Sequence, residues 1–300
     1  MSRPNPPLAP RLDPLLLLRA YAMGIFPMAD DREAEDIYWV EPKTRGILPL
    51  DGFHLSKSLR KLVRSDRYRV TSDTAFRAVI SECAASAPDR PSTWINSLIE
   101  EAFIVLHALG HAHSVEVWDD APLAEGRPPR LVGGLYGLSL GRAFFGESMF
   151  SRADNTSKLA LAWLVARMKA GGYALLDCQF ITDHLASLGA IEISRSDYLA
   201  RLHSALGDSV GAALSSDLGA GEAAAGALAA GALAAGALGA GALAAGDWGA
   251  LDPLLAGGLT LPGEPSTPAS PSRSGLSTSA GLTAGPPPGV VIAQLLTMTS

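Results

Sequence analysis

The chain has 300 residues, 48% of them hydrophobic, and a formal charge of -6 at pH 7. That length can bury a full core and allows two domains, and the composition excludes a fibrous or disulfide-stapled protein. The two cysteines, Cys83 and Cys178, lie far apart. They favour reduced thiols and predict a cytoplasmic location.

The N-terminal region contains a short apolar run at residues 15–18, preceded by Asp13 and followed by Arg19. A secretory signal needs a longer apolar segment with fewer charges. We therefore expect a protein without a signal peptide and without membrane association.

The segment 57–69, KSLRKLVRSDRYR, is strongly basic. Its basic residues, set against the single acid Asp66, are Lys57, Arg60, Lys61, Arg64, Arg67 and Arg69. Such a cluster can bind the phosphates of a nucleic acid. A solvated helix face is the alternative, and charge alone leaves both open.

Helical and strand patterns alternate in the following residues, which indicates an α/β or α+β fold. The pattern predicts a helix over residues 95–109, ended by Gly110. Three strands follow over 114–119, 131–140 and 143–150. A helix capped by Asp154 or Asn155 runs to Gly171, and a buried strand over 173–180 precedes a short helix that opens at Asp183.

Three histidines, His107, His111 and His113, lie close together in this region. Gly110 and the change from helix to strand separate them, so they share no face from which to bind one ion. We expect no metal and no cofactor.

Three polar residues stand in apolar surroundings. Glu147 lies in FFGESMF, where it is either a strand residue facing water or the acid of a pocket. Asp177 and Gln179 are two apart on the predicted strand and share a face, whereas Cys178 points the other way. Asp177 can then orient the Gln179 amide, or both can be a buried polar pair satisfied by the backbone.

The composition changes after residue 206. Glycines five residues apart divide GALAA repeats over residues 226–246, and leucines at that period spiral around a helix without forming a stripe. Glycine and small residues make a membrane span a poor interpretation. The Pro/Ser-rich remainder is typical of disorder, so residues 207–300 are predicted to be a disordered tail without assigned function.

The residues before this tail resemble a known family. The chain contains, in order, YAMGIFPM, IYWVEP, TWIN, LGHAHSVEVW, LVGGLYG, FFGESMFSR, LLDCQF and DHLASLGAIEISRSDYL. Over residues 11–202 this series is similar to the leucyl/phenylalanyl-tRNA–protein transferases. The resemblance implies an α+β protein: a small N-terminal domain over residues 1–45 and an N-acetyltransferase-like domain with a mostly antiparallel sheet over 46–206.

The resemblance also implies a reaction, in which leucine, phenylalanine or methionine moves from aminoacyl-tRNA to the α-amine of a protein beginning with Arg or Lys. Such a protein is thereby marked for degradation, and the enzyme acts as a monomer. An aminoacyl ester is already activated, so the catalyst chiefly aligns the reactants.

The matched motifs imply roles for individual residues. Asp177 orients its partner, Gln179 binds the attacking amine, and Glu147 holds the cationic acceptor terminus. The resemblance implies that Leu135, Phe144 and Leu176 line the pocket for the side chain of the donor amino acid. The resemblance implies that Trp94 stacks on the terminal adenosine of tRNA. Met28 occupies a second adenosine-contacting position, at which the family often has tryptophan, and Trp39 is a possible neighbour. The basic segment would bind the acceptor-stem phosphates.

Two other classes compete with this interpretation. An acyl-CoA N-acetyltransferase would need a Gly-rich pyrophosphate loop before the central helix, where this chain has SRADNTSK. A tRNA-binding protein that has lost catalysis would not need Glu147, Asp177 and Gln179.

Overall fold

The computed structural model describes residues 11–86, 92–207, 246–256 and 287–298. A seven-stranded sheet forms its centre, built from β3 (Thr44–Ile47), β4 (Arg69–Ser72), β5 (Ala112–Asp119), β6 (Arg130–Leu140), β7 (Ala143–Ser151), β8 (Leu175–Gln179) and β9 (Ile191–Ser194). The order across the sheet is β4-β5-β6-β7-β8-β3-β9. A separate ribbon pairs β1 (Phe26–Met28) with β2 (Tyr38–Val40).

Among the described strands, neighbours are antiparallel except β7 and β8, which are parallel. A parallel pair needs a long crossover, and helix α5 (Thr156–Ala170) provides it. The predicted α+β class and the mostly antiparallel sheet are therefore confirmed.

Helices cover the two faces of the sheet. One apolar core lies beneath α1 (Pro14–Ala22), α3 (Phe76–Ala84), α4 (Ser97–Ala108) and α7 (Arg195–Leu206). The other lies beneath α2 (Lys57–Arg64) and α5. Helix α5 is buried almost all round, which explains its apolar composition on every side.

The predicted elements between residues 95 and 186 are confirmed. Asn96 caps α4 by accepting a hydrogen bond from the Ile99 backbone N–H, and Gly110 follows the helix at a φ of 79°. Strands β5, β6 and β7 occupy the predicted segments, and α5 starts after Asn155 and stops at Gly171. The predicted short helix is α6 (Asp183–Ala186).

The pairing of β7 with β8 ends early. It joins residues 143–145 to residues 175–177, although β7 continues to Ser151. Glu147 on β7 and Gln179 on β8 therefore lie beyond the paired part, where the two strands no longer close the sheet against each other. This opening in the sheet positions the candidate site.

The prediction of a disordered tail needs correction in two places. Trp248 stacks on His113 and on Phe144, with ring centroids 4.3 Å and 5.3 Å apart, and donates to the Ser72 hydroxyl. It precedes a short helix, α8 (Leu251–Leu255), whose Leu251 is fully buried. Apolar burial supplies the stabilisation that composition did not predict.

A second segment of the tail also packs on the core. Helix α9 (Pro288–Leu295) buries Val291 and Ile292 against α2 and α5. It begins within the GPPPG motif because proline is well tolerated in the first turn of a helix. The other residues of the predicted tail, including the GALAA repeats, lie outside the described residues.

No helix within the described ranges has the length and apolarity needed to cross a bilayer.

Candidate active site

A cavity of about 300 Å³ opens where β7 and β8 separate. That volume is at the small end for ligand sites. Its wall is mainly apolar, with Leu135, Met149, Leu161, Leu164 and Leu176. Polar groups in the wall include Glu147, Ser148, Gln179, Thr182 and His184. Met28, Trp94 and Phe180 also line it.

Asp177 lies behind this cavity with 0% of its surface exposed, and both of its carboxylate oxygens accept hydrogen bonds. The Arg45 guanidinium donates to both carboxylate oxygens, with Nη2 to Oδ2 at 2.6 Å and Nε to Oδ1 at 2.9 Å. The Tyr198 hydroxyl donates to Oδ2 at 2.8 Å, and the Gln179 backbone N–H donates to Oδ1 at 2.8 Å. Arg45 itself lies between the rings of Phe26 and Tyr198.

The Gln179 side chain is oriented by Glu147, which corrects the predicted arrangement. Its Nε2 donates to Glu147 Oε1 at 2.9 Å, which leaves its carbonyl oxygen available. Asp177 holds only the backbone of Gln179, at the left-handed φ of 55°. A non-glycine residue pays strain to adopt that conformation, and such strain concentrates at functional sites. Glu147, and not Asp177, therefore contacts the Gln179 amide, and the catalytic roles of the two acids stay predictions.

Glu147 is an unusual acid because burial raises its pKa to about 8. The Tyr21 hydroxyl opposes this shift and the Asp177 charge adds to it. Burial thus favours the protonated form of Glu147, and its predicted contact with the cationic acceptor terminus stays a prediction.

The three predicted pocket residues separate into two groups. Leu135 and Leu176 line the cavity. Phe144 is fully buried beside Leu176 in the strand pairing and packs against Trp248, so it supports the wall without lining it.

The two predicted adenosine contacts lie together at the cavity. Met28 and Trp94 both line it, and the Ala29 backbone N–H donates to the Trp94 carbonyl at 3.1 Å, which joins the two segments. Trp39 pairs with Pro27 across the ribbon and packs on the apolar core.

The basic segment is not one uniform surface. Lys57, Arg60, Lys61 and Arg64 are exposed side by side on α2 and line a shallow groove. None of these four pairs with a carboxylate in the part of the chain described.

Beyond the helix, the last two arginines of the basic segment differ from these four. Arg67 lies over the Tyr68 ring, and Arg69 makes two hydrogen bonds to Asp120. Partial neutralisation of Arg69 makes it a weaker phosphate ligand than the α2 residues.

The cysteine and histidines do not form a competing site. Cys178 lines the cavity, whereas Asp177 lies behind it, and burial raises the pKa of the Cys178 thiol and keeps it protonated. His107 contacts the Ala112 carbonyl, and His113 contacts Asp73. Across the described ranges, no three His, Cys, Asp or Glu residues are placed to hold a metal.

Sequence reasoning missed Arg45, Tyr198 and Tyr21. A buried aspartate requires a cationic or multiple hydrogen-bonding partner, so some partner for Asp177 was to be expected. The chain has 24 lysine and arginine residues, and no local pattern singles out Arg45, which is 132 positions from Asp177.

A strained glutamine, a buried acid of raised pKa and an apolar cavity lie together here, a combination that is typical of the active site of an enzyme. Comparison with known proteins gives its family. The leucyl/phenylalanyl-tRNA protein transferase model matches residues 47–203, and the model of that family's N-terminal domain matches residues 11–43. The chain belongs to the leucyl/phenylalanyl-tRNA–protein transferase family.

Curated relatives carry the same family name. The leucyl/phenylalanyl-tRNA–protein transferase of Rhizorhabdus wittichii is 65% identical over 201 residues, covering 67% of this chain and 78% of the relative. The transferase of Zymomonas mobilis subsp. mobilis is 64% identical over 195 residues, covering 65% of this chain and 70% of the relative.

Among solved structures, the crystal structure of FemX aligns with a TM-score of 0.42 and 10% identity, covering 59% of this chain and 66% of FemX. That likeness is too distant to support a conclusion.

Proposed function

We propose that this enzyme transfers leucine, phenylalanine and methionine from aminoacyl-tRNA to the α-amino group of proteins that begin with Arg or Lys. The product is marked for degradation, and the enzyme works as a monomer in the cytoplasm. The observation that carries this proposal is the Gln179 amide, held by Glu147 with its carbonyl oxygen unused beside an apolar cavity.

The reaction requires little chemical activation by the protein, because the aminoacyl ester is already activated. The amine nitrogen attacks the ester carbonyl, a C–N bond forms, and the C–O bond to the ribose breaks. The amine loses a proton and the ribose oxygen gains one. A free α-amine has a pKa of about 7.7 to 8.0, so a useful fraction is neutral at cellular pH.

Gln179 then positions the nucleophile. Its carbonyl oxygen accepts a hydrogen bond from the attacking amine, which directs the nitrogen lone pair at the ester. Glu147 keeps the amide from flipping by accepting from Nε2. Asp177 keeps the backbone in its strained conformation, and Arg45 and Tyr198 balance the charge of Asp177.

The apolar cavity receives the side chain of the donor amino acid. Leu135 and Leu176 form part of its wall, with Phe144 behind them. Such a wall selects by size and shape, with each missing methylene worth about 1 to 3 kcal/mol. In this proposal Met28 and Trp94, which also line the cavity, contact the terminal adenosine.

The tRNA acceptor stem binds on α2 in this proposal. Lys57, Arg60, Lys61 and Arg64 supply exposed, unpaired charges for phosphates, and Arg67 and Arg69 extend the basic surface. Contacts of this kind recognise the backbone and carry no sequence information.

Transfer to two peptides that differ only at the first residue tests the function. Labelled leucyl-tRNA is mixed with the enzyme and a peptide that begins with Arg or with Gly. We expect label on the Arg peptide, and in the Gln179→Ala variant a rate about 100-fold lower, the usual cost of losing one aligned hydrogen bond in a transition state. Equal labelling of both peptides, or full activity in the variant, would contradict the proposal.

A further inference from the structure

Phe180 is an exposed aromatic residue in an unusual place. It directly follows Gln179 and lines the same cavity as Met28 and Trp94, yet 50% of its surface is exposed. Single exposed apolar residues are common on protein surfaces and need no explanation. This one borders the candidate active site, so its exposed surface is available to whatever occupies the cavity.

The Phe180 ring is held in position. The Phe26 ring packs against it edge to face, with centroids 5.7 Å apart and an interplanar angle of 77°. Phe26 is itself buried beneath the Arg45 guanidinium. A ring fixed in advance loses little conformational freedom when a ligand binds.

The backbone around Phe180 is equally constrained. Gln179 precedes it at a φ of 55°, and Gly46 packs so closely that a Cβ there would lie 3.1 Å from the Phe180 carbonyl carbon and the Ile181 nitrogen. A larger residue at Gly46 would push this segment outward. The fold thus fixes the direction in which Phe180 leaves β8.

The ligand follows from the proposed function, on which this inference rests. An aminoacyl ester attaches its amino acid to the terminal adenosine of tRNA, so a side chain inside the cavity leaves the adenine at its edge. Adenine stacks on aromatic rings, and each stacked base is worth about 1 to 3 kcal/mol. Among the residues that line the cavity, Met28 offers a thioether, whereas Trp94 and Phe180 offer rings.

We propose that Phe180 stacks on the terminal adenine of aminoacyl-tRNA and, together with Trp94, provides the aromatic contacts that Met28 lacks. The guanidinium of an acceptor's N-terminal Arg could also pack on an aromatic face. The adenine is favoured because Phe180 lines the same cavity as Met28 and Trp94, whose segments are joined through Ala29.

The test uses a small donor analogue, 3'-leucylamido-adenosine, whose amide resists transfer. Its binding to the full chain is measured by calorimetry for the wild type, Phe180→Ala, Phe180→Trp and a control, Leu123→Ala, which removes an equally exposed side chain outside the cavity lining. We expect Phe180→Ala to weaken binding about tenfold. Phe180→Trp should retain wild-type affinity, and the KM for the Arg peptide should not change in Phe180→Ala.

Two results would overturn the stacking role. Unchanged analogue binding with a higher peptide KM in Phe180→Ala would place the ring in the acceptor site, and no change in either would leave the ring without a role. Both differ from failure of the proposed function itself, in which the wild type would neither bind the analogue nor label the Arg peptide.

Discussion

Asp177 and Glu147 are two buried carboxyl groups on neighbouring strands with opposite surroundings. Asp177 accepts hydrogen bonds from Arg45, Tyr198 and the Gln179 backbone and has a full countercharge. Glu147 accepts a hydrogen bond from Gln179 and interacts with the Tyr21 hydroxyl, but it lacks an ion pair like the one that Arg45 makes with Asp177. The first arrangement holds a charge in place, whereas the second keeps a neutral acid that can change its protonation state.

Burial alone therefore does not assign a role to an acid. A fully paired carboxylate acts as a scaffold, here for the strained backbone of Gln179. A poorly paired one remains responsive to its surroundings and to a ligand.

The largest effect is expected at Arg45. Arg45→Met removes the countercharge of Asp177 and leaves a buried, unpaired carboxylate, so we expect the free energy of unfolding to fall by about 3 to 5 kcal/mol. Transfer should be lost because Gln179 is no longer held. Urea unfolding and the peptide assay measure the two effects.

Arg127→Met is the matched control for Arg45→Met. Arg127 pairs with Glu125 while both side chains are mostly exposed, and such pairs contribute about 0 to 1 kcal/mol. If Arg45→Met destabilised the protein no more than this control, the scaffold role of Asp177 would be wrong.

The next effect depends on pH. The folded-state pKa of Glu147 is raised to about 8, from an ordinary value near 4.5, so its contribution to stability is complete below pH 4.5 and is lost as pH rises toward 8. Glu147→Gln cannot titrate. Relative to the wild type, the variant should therefore gain up to about 1.4 kcal/mol per pH unit between those values.

Unfolding free energies of both proteins at pH 5.5, 6.5 and 7.5 measure that difference. A gap between variant and wild type that stays constant with pH would mean that Glu147 titrates as an ordinary exposed glutamate, and the contrast between the two acids would fail.

The smallest change in stability is expected from substituting two tyrosines, one beside each acid. Tyr198→Phe removes a hydrogen bond to the charged Asp177 and should cost about 1.5 kcal/mol. Tyr21→Phe removes a buried hydroxyl that interacts with the Glu147 carboxyl, whose neutral form is favoured by burial, and should cost less than Tyr198→Phe. Thermal unfolding of the two variants side by side measures both, and equal costs would contradict the contrast.

Much of the fold could be predicted because its signals are local. Periodicity and caps located α4, α5 and the strands between them, since a helix or strand records its buried face in neighbouring residues. The tail shows the limit of this reasoning. Composition predicted disorder, yet Trp248 and α9 gain enough apolar contact with the core to pack.

The chemical groups of the site can be read from the sequence: an acid and an amide two residues apart on a buried strand, a second acid in an apolar run, and a basic helix. Which of these groups contact one another depends on the tertiary fold. Arg45 pairs with Asp177 across 132 positions, and Glu147 meets Gln179 because β7 and β8 separate after three residue pairs. Contacts between distant segments depend on strand order and register, which the spacing of residues within one segment does not contain.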